Sequence, residues 1–580
     1  MGRISRFVGA LITASLVVGG LLYFRPAGPL APLTAPVEAP RRGGQLVTTV
    51  RAEPRSFNRI AVRTQSADLL SVLTQARLVR VNRATFELEP WLAERWDSSP
   101  DGLTHTFYLR EGLKWSDGSP LTAEDVAFSF QAATDEKVSA LASGLLAGGK
   151  PITAAVVDAR TVRVSFAGPS GPGLRMLDAL PIVPRHKLES AYRAGKFAEA
   201  WSMQTPAADV VGLGPFVFAS YEPGQRVVLE RNPHYWRKAP DGTPLPYLDR
   251  IVVEVVPDQN AELLRLQSGQ SDVPQDAIRS EDYVPVRRSE EQGSLKLVEL
   301  GVSTDADALW FCLKPEAKKK DPRFAFVIRK EFRQALSHAV DREAFAQTVF
   351  LGEAVPVWGT ITPGNAAWFN PNLIRYPYDL VKAKALLAGI GLVDRNKNGV
   401  VEDENGTEAR FTIITQRGLG WYERGLQVIG ENAKQIGVAF DVAPLENGAM
   451  IQRMLACDFD AIYMRVLATD PEPAANLDFW LSSGSAHVWN REQKTPSTPW
   501  EAQIDELMTK QASTLDQDAR RSLFNNVQLV MGENLPMLTF AAPRMYAAYT
   551  TRVRGVVPSV MRPPILWNAD SLSVADAPPR

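Results

Sequence analysis

Alternating and continuous apolar patterns predict several strands along this chain. Residues 161–166 place Val or Phe at every second position with polar residues between them, which is typical of a half-buried strand. Residues 45–50 are rich in β-forming side chains. Residues 251–256 are apolar almost throughout, as a strand covered on both faces is. We therefore predict a strand in each of the three places.

One strand–helix–strand unit is predicted in the second half of the chain. Residues 411–415 and 438–442 have the composition of strands, and residues 421–435 between them have the apolar spacing of a helix. A crossover of this length joins parallel strands. The unit therefore indicates an α/β fold.

Turn-forming residues are densest within residues 91–130. Asp-Gly pairs at 101–102 and 117–118 supply the backbone freedom that tight turns need. Thr122 stands three residues before Asp125, the spacing of a capping box, and predicts the start of a helix. Local patterns alone thus predict a scaffold of short strands followed by a capped helix.

Size and composition indicate a globular protein with more than one lobe. The 580 residues exceed what one hydrophobic core usually holds, so we expect two or three lobes. Apolar residues make up 45% and charged residues 22%, which excludes a disordered chain. A net charge of −1 gives no basic field for nucleic acid. Cys312 and Cys457 are too few for a disulfide framework, and two unpaired buried thiols are favoured over one bridge.

Residues 1–25 form a targeting segment that we expect to remain as a membrane anchor. Arg3 and Arg6 precede an apolar run at 7–24, which as a helix would be about 27 Å long, at the short end of a membrane span. No small-x-small cleavage site follows, so an uncleaved anchor is favoured over a cleaved signal peptide, and either one exports the chain. Residues 26–43 are rich in proline and are predicted to be a semi-rigid tether.

Three stretches of the sequence carry a family resemblance. Residues 91–130 resemble the N-terminal signature of the family 5 extracellular solute-binding proteins, the dipeptide and oligopeptide receptors of bacterial ABC importers. Residues 212–236 and 332–345 resemble two later landmarks of the same family. Their sequences are WLAERWDSSPDGLTHTFYLREGLKWSDGSPLTAEDVAFSF, GLGPFVFASYEPGQRVVLERNPHYW and FRQALSHAVDREAF.

The resemblance implies an α/β, two-lobed periplasmic binding protein of type II, with a hinge between the lobes and the ligand in the cleft between them. Lobe I is expected at 44–300 and 541–570, with an extra small subdomain at about 81–206. Lobe II is expected at 301–540. Residues 569–580 are expected to be disordered.

The function implied by the resemblance is that of the extracytoplasmic substrate-binding component of an ABC transporter. It would bind peptides or a related solute, need no cofactor, act as a monomer with permease subunits of the inner membrane, and lie in the periplasm, anchored if residues 1–25 stay in place. No catalytic or nucleotide-binding motif is present in the sequence, so we expect no enzyme. The alternative is a membrane-tethered sensor or scaffold that uses the same fold without transport.

Four candidate ligand contacts come from two loops. The resemblance places Phe57 and Asn58, after the first strand, at the mouth of the cleft. Trp421 and Tyr422 follow the carboxyl end of the strand at 411–415, where ligands gather in open α/β sheets. Either aromatic residue could equally belong to the core.

The segment 459–480 is expected to be the most informative for ligand specificity. In peptide-binding relatives this place carries an aspartate that pairs with the α-amino group of the substrate, and the corresponding position here falls near Leu467. Either Asp470 takes over that role or the ligand lacks a free amine. Arg465 would suit an acidic group through its forked donors, unless Arg465 and Asp470 are satisfied by their own neighbours.

Residues 394–405 partly match a calcium-binding loop. Asp394, Asn396 and Asn398 have the spacing of the first half of such a loop. The twelfth position is Asn405 rather than glutamate, although Glu402 could substitute. A plain acidic hairpin is therefore the favoured interpretation, and no metal site is assigned.

Overall fold

The computed structural model describes residues 40–465 and 471–575. The predicted targeting segment, nearly all of the predicted tether, and Asp470 lie outside the described residues. Among the described residues, we find no helix with the length and apolar character of a membrane span.

The strands and helices are numbered in chain order. The strands are β1 (Gln45–Val50), β2 (Val79–Val81), β3 (Leu88–Pro90), β4 (Ala93–Ser98), β5 (Thr104–Leu109), β6 (Leu146–Ala147), β7 (Lys150–Pro151), β8 (Thr153–Asp158), β9 (Thr161–Ser165), β10 (Phe216–Glu222), β11 (Arg226–Arg231), β12 (Arg250–Val255), β13 (Leu295–Val302), β14 (Asp307–Phe311), β15 (Ala354–Pro356), β16 (Arg410–Gln416), β17 (Ala439–Leu445), β18 (Ala461–Arg465), β19 (Met537–Thr539), β20 (Ala541–Thr550), β21 (Val553–Arg554) and β22 (Ser573–Val574).

The α-helices are α1 (Gln65–Thr74), α2 (Ala123–Thr134), α3 (Arg185–Arg193), α4 (Gln259–Gln267), α5 (Tyr283–Glu291), α6 (Pro315–Lys318), α7 (Phe324–Val327), α8 (Lys330–Ala339), α9 (Arg342–Val349), α10 (Leu380–Gly389), α11 (Gly420–Lys434), α12 (Asn447–Ala456), α13 (Leu477–Trp480), α14 (Pro499–Ser513) and α15 (Gln517–Asn534). Short 3₁₀ helices lie at Ala142–Gly144, Gly173–Ala179, Ala207–Asp209, Ser280–Asp282, Pro473–Asn476 and Leu566–Ser571.

The first core forms around a four-stranded sheet of order β1-β12-β11-β10. Strands β1 and β12 are parallel, which confirms the strands predicted at 45–50 and 251–256. The C-terminal segment packs into the same core through buried Leu566, Leu572 and Val574. The expectation of disorder from residue 569 onward is therefore wrong up to residue 575, because apolar burial fixes this segment.

A smaller sheet of order β4-β5-β9-β8 packs with α2 beside the first core. The predicted capping box is confirmed: the backbone N–H of Thr122 donates to Asp125 Oδ2 over 2.9 Å, and α2 begins at the next residue. Asp125 also accepts a bond from the backbone N–H of Arg185 at 3.0 Å, so the cap joins two helices.

The second core is built on both faces of a five-stranded sheet of order β17-β16-β18-β14-β19. Strands β16 and β17 are parallel and are joined through α11, which confirms the predicted strand–helix–strand unit. All residues of β14 are buried, since Leu309 and Phe311 pack on one face of the sheet and Ala308 and Trp310 on the other.

Two paired strands connect the cores. Strand β13 leads from the first core to β14 in the second, and β20 leads back from β19. Strands β13 and β20 are antiparallel neighbours, and β15 adds a third strand on the other side of β20. The chain thus crosses between the cores twice along one narrow sheet.

A disulfide bond joins Cys312 and Cys457, so the preference for two unpaired thiols is wrong. The reason lies in strand register: Phe311 at the end of β14 faces Ala461 at the start of β18. Because the two strands are antiparallel, the residue after β14 meets the turn that precedes β18, and this turn holds Cys457.

We predict that replacing both cysteines with alanine lowers the free energy of unfolding by about 2–5 kcal/mol, because the bond closes a long loop of the unfolded chain. Thermal unfolding with and without dithiothreitol measures the effect. Reductant should lower the melting temperature of the native protein but leave that of the Cys312→Ala/Cys457→Ala variant unchanged. An equal response of both proteins would contradict a stabilising bond.

Candidate functional site

One edge of the second core's sheet is formed by the carboxyl ends of its parallel strands. Strands β16, β17 and β18 end there at Gln416, Leu445 and Arg465. Strand β14 runs the opposite way, so its first residue, Asp307, lies at the same edge. Such carboxyl edges are where open α/β sheets bind ligands.

Arg465 and Asp307 form an ion pair at this edge. The two residues are direct partners in the strand register, and Arg465 Nε donates to Asp307 Oδ1 over 2.7 Å. Asp307 is 1% exposed and the Arg465 side chain 18%. Burial acts to lower the pKa of Arg465, but the attraction of Asp307 and its neighbours outweighs burial and raises the pKa above its usual range. Arg465 is therefore a paired cation rather than a free anchor for an acidic ligand.

Two tyrosines hold this pair in place. The Tyr422 hydroxyl accepts a bond from the backbone N–H of Arg465 at 2.8 Å, and the Tyr463 hydroxyl donates to Asp307 Oδ2 at 3.5 Å. Burial raises the pKa of Tyr422 to about 12, so its phenol is neutral at physiological pH. Sequence reasoning found Tyr422 but missed Tyr463 and Asp307, although an aspartate that opens the apolar strand DALWF was an available signal.

Trp421 adds an unused hydrogen-bond donor beside the tyrosines. Its ring centroid lies 5.4 Å from that of Tyr422, and the side chain is half-buried. The indole N–H has no hydrogen-bond partner among the described residues. A buried donor without an acceptor is costly.

The first core contributes a charged group at the carboxyl end of β1. The Arg51 guanidinium pairs with Asp276 and, at 3.6 Å, with Glu262, while Arg562 Nε lies 3.2 Å from Asp276 Oδ1. The segment that carries Asp276 continues to Ile278, which bridges to β20. This group therefore lies next to the strands that connect the cores, and sequence reasoning did not find it.

Phe57 and Asn58 hold the loop after β1 in place through packing and hydrogen bonds. The Phe57 ring packs on Phe218 with centroids 4.3 Å apart. Asn58 is fully buried: its Nδ2 donates to Phe197 O at 2.8 Å, and its Oδ1 accepts from the backbone N–H of Ala61 at 3.3 Å. Both polar atoms of Asn58 thus hold the loop, and a ligand contact by either residue stays a prediction.

The oxygens of the calcium-like loop accept bonds from backbone N–H groups. Asp394 accepts from Asn398 and Gly399 at 3.1 and 3.0 Å, and Asn396 also accepts from Asn398. Glu402 Oε1 accepts hydrogen bonds from the backbone N–H groups of residues 395 and 396. These bonds, with the antiparallel bridge between Val393 and Glu402, hold the loop as a hairpin. No group of three or more His, Cys, Asp or Glu residues in the described part of the chain could hold a metal ion.

The two cores also touch away from the connecting strands. The backbone N–H of Gly171, beside the small sheet, donates to Ala512 O in α14 over 2.6 Å. A Cβ at Gly171 would overlap the guanidinium of Arg520, which would then have to move. At another place, Arg424 of α11 lies 3.7 Å from Glu281 of the first core.

Comparison with known proteins agrees with the three resembling stretches. The family described as "Bacterial extracellular solute-binding proteins, family 5 Middle" matches residues 87–487. A probable ABC transporter-binding protein of Deinococcus radiodurans is 27% identical over 85% of this chain and 86% of its own length. The oligopeptide-binding protein AppA of Bacillus subtilis is 26% identical, with 89% of each chain covered.

A solved structure of AppA from Bacillus subtilis, in complex with a nonapeptide, superposes with a TM-score of 0.72. The identity is 24%, and the match covers 93% of this chain and 100% of the other. The likeness shows the two-lobed, type II periplasmic binding protein fold. The chain belongs to the family 5 bacterial extracellular solute-binding proteins.

Proposed function

We propose that this receptor binds peptides between its two lobes and delivers them to the permease of an ABC importer. The chain is a solute-binding component of an ABC transporter by family. The peptide class is supported by the similarity to an oligopeptide-binding relative over most of both chains. The proposed location of the ligand site rests on the sheet edge at which Arg465, Asp307, Tyr422 and Trp421 meet.

Closure of the lobes is supported by the way in which the cores are joined. Two neighbouring strands can bend together, as the connecting segments of hinged binding proteins do. The Gly171–Ala512 bond and the Arg424–Glu281 pair are contacts that a closed form would make and an open form would lose. A ligand that touches both lobes would favour the closed form.

The Arg465–Asp307 pair changes which chemical group of the ligand we expect at this sheet edge. Because Asp307 already neutralises Arg465, an acidic ligand group would have to compete for the guanidinium. We infer that the pair acts mainly as a rigid floor, fixing the last residue of β18. Neutral donors such as the Trp421 indole contact the peptide backbone instead.

The proposal also includes several further properties of the receptor. The lobes correspond to residues 44–300 with 541–570 and to residues 301–540, and the small subdomain to about 81–206. The receptor acts in the periplasm as a monomer, turns over no substrate, and is held to the inner membrane by an uncleaved segment 1–25. The comparisons give the sensor or scaffold alternative no support.

We predict that peptides released from the purified exported domain are detected by mass spectrometry, and that peptides from a mixed library raise its melting temperature. Trp421→Phe removes the indole N–H while keeping an aromatic ring, and it should weaken peptide binding roughly fivefold to tenfold, the value of one hydrogen bond. Trp480→Phe is the matched control, since the Trp480 N–H is also unpartnered but lies inside the second core. A solute of another class that stabilises the protein when peptides do not would overturn the peptide assignment.

We predict that Asp307→Asn lowers the free energy of unfolding by about 3–5 kcal/mol, because it leaves Arg465 buried without a counter-charge. The double variant Asp307→Asn/Arg465→Met should recover most of that loss, since an apolar side chain needs no partner. Glu446→Gln removes one partner of the exposed Arg417–Glu446 pair at the same edge and should change stability by less than about 0.5 kcal/mol. Urea unfolding measures all three, and equal losses for Asp307→Asn and Glu446→Gln would disprove the role of the buried pair.

A further inference from the structure

The small sheet beside the first core touches the corner between α14 and α15 of the second core at two points. The backbone N–H of Gly171, which follows β9, donates to Ala512 O over 2.6 Å. Gly102 lies in the turn between β4 and β5, and a Cβ built on it would be 3.2 Å from Leu515 Cδ1. The two contacts join the cores without involving β13 or β20.

The guanidinium of Arg520 lies directly under the first of these contacts. The backbone of Gly171 is so close that a Cβ at this position would overlap the guanidinium. Arg520 Nε donates to Gln511 O at 3.3 Å, and Nη1 donates to Gln517 Oε1 at 3.2 Å. The Arg520 side chain is only 3% exposed. A residue of the first lobe therefore helps to cover a charged side chain of the second.

Glu472 is the carboxylate partner of Arg520. Arg520 Nη2 donates to Glu472 Oε1, and the Glu472 side chain is 5% exposed. The same oxygen accepts from the backbone N–H of Ala474 at 3.1 Å and so caps the 3₁₀ helix Pro473–Asn476. This helix belongs to the segment 459–480, which the sequence marks as most informative for ligand specificity. The charge of Arg520 thus holds the side chain that fixes the start of the helix.

The same segment has a second attachment, which leads to the connecting strands. Asn365 Nδ2 donates to Pro471 O at 2.8 Å. The loop that carries Asn365 is fixed in turn, because Thr362 Oγ1 donates to Ser303 O directly after β13. Residues 471–476 are therefore held on one side from the connecting strands and on the other from Arg520, where the lobes meet.

The strength of the Arg520–Glu472 pair depends on whether water reaches it. The attraction between two paired charges rises as water is excluded, while the same pair in water contributes little. Parting of the lobes would remove Gly171 from the guanidinium and admit water. The pair would then hold Glu472 less firmly in an open form than in a closed one.

We propose that Arg520 is a positioning residue that couples closure of the lobes to the geometry of residues 471–476. This inference rests on the proposed peptide function and deepens it. Arg520 acts through Glu472 and the helix that Glu472 caps, not by touching the ligand. Closure tightens the pair, and the tightened pair keeps this part of the second lobe in the form that retains the peptide.

The rates of peptide binding and release test this role. The probe is the peptide of the mixed library that raises the melting temperature of the native exported domain most, and stopped-flow tryptophan fluorescence measures both rates. Arg520→Met should raise the dissociation rate roughly fivefold to tenfold and change the association rate less, because the pair gains strength only after the lobes meet. Arg521→Met is the matched control: it changes the next, exposed arginine, which donates to Ala367 O at 3.0 Å, and should leave both rates unchanged.

Gly171→Ala separates coupling from a purely structural role of Arg520 within the second core. Its Cβ would displace the guanidinium when the lobes meet, so it should also raise the dissociation rate. In Gly171→Ala/Arg520→Met the effect of the alanine should largely vanish, since the guanidinium that it displaces is gone and methionine is flexible. Fully additive effects would contradict coupling through Arg520.

Arg520→Met leaves Glu472 buried without its partner, so a variant that removes both charges is a safeguard. If Arg520→Met does not fold, Arg520→Met/Glu472→Gln should fold and show the same faster dissociation. Peptide binding that these variants leave unchanged would overturn the inference while the proposed function stands. A native protein that binds no peptide of the library would overturn the proposed function and this inference with it.

Discussion

Any movement of one lobe relative to the other requires the paired strands β13 and β20 to bend. These strands are antiparallel neighbours along nearly their whole length, and they are the paths by which the described chain crosses between the cores. Strand β20 belongs to both, since Ala541 packs in the second core and Ala547 in the first. The backbone N–H of Ser303 donates to Pro543 O at 2.8 Å, so the pairing extends to the point where the strands leave it. The two cores are therefore tied to each other at both chain crossings.

The sheet edge that we propose as the binding site is set by the same crossing. Asp307 begins β14 only a few residues after β13 ends, so the segment that bends also delivers the carboxylate that holds Arg465. A buried ion pair contributes little net stability against an apolar replacement, but it fixes geometry when its hydrogen bonds are satisfied. Tyr422 and Tyr463 are hydrogen-bonded to the two members of this pair, which we propose as the floor of the site.

Local pattern predicted the parts of the fold whose causes are local. The strands β1 and β12, the capped helix α2 and the parallel unit of β16, α11 and β17 all follow from residue spacing and composition. Trp421 and Tyr422 could be placed at the sheet edge because that edge follows from the order of a single strand–helix–strand unit.

The features that sequence reasoning missed depend on pairing between distant residues. Asp307 meets Arg465 across a separation of 158 residues, and Cys312 meets Cys457 across 145. Strand register decides both contacts, and nothing near either residue encodes it. The burial of Asn58 and its bond to Phe197 also come from packing against a separate part of the chain. The C-terminal segment is likewise ordered by packing against residues that are distant in the sequence.

We propose that the lobes close on a ligand by bending at β13 and β20. Small-angle X-ray scattering of the purified exported domain, with and without a saturating peptide, measures this closure. We expect a smaller radius of gyration with peptide, and a smaller decrease in Gly171→Val, whose side chain would overlap Arg520 in the closed form. A radius of gyration that stays the same when peptide is bound at saturation would contradict closure.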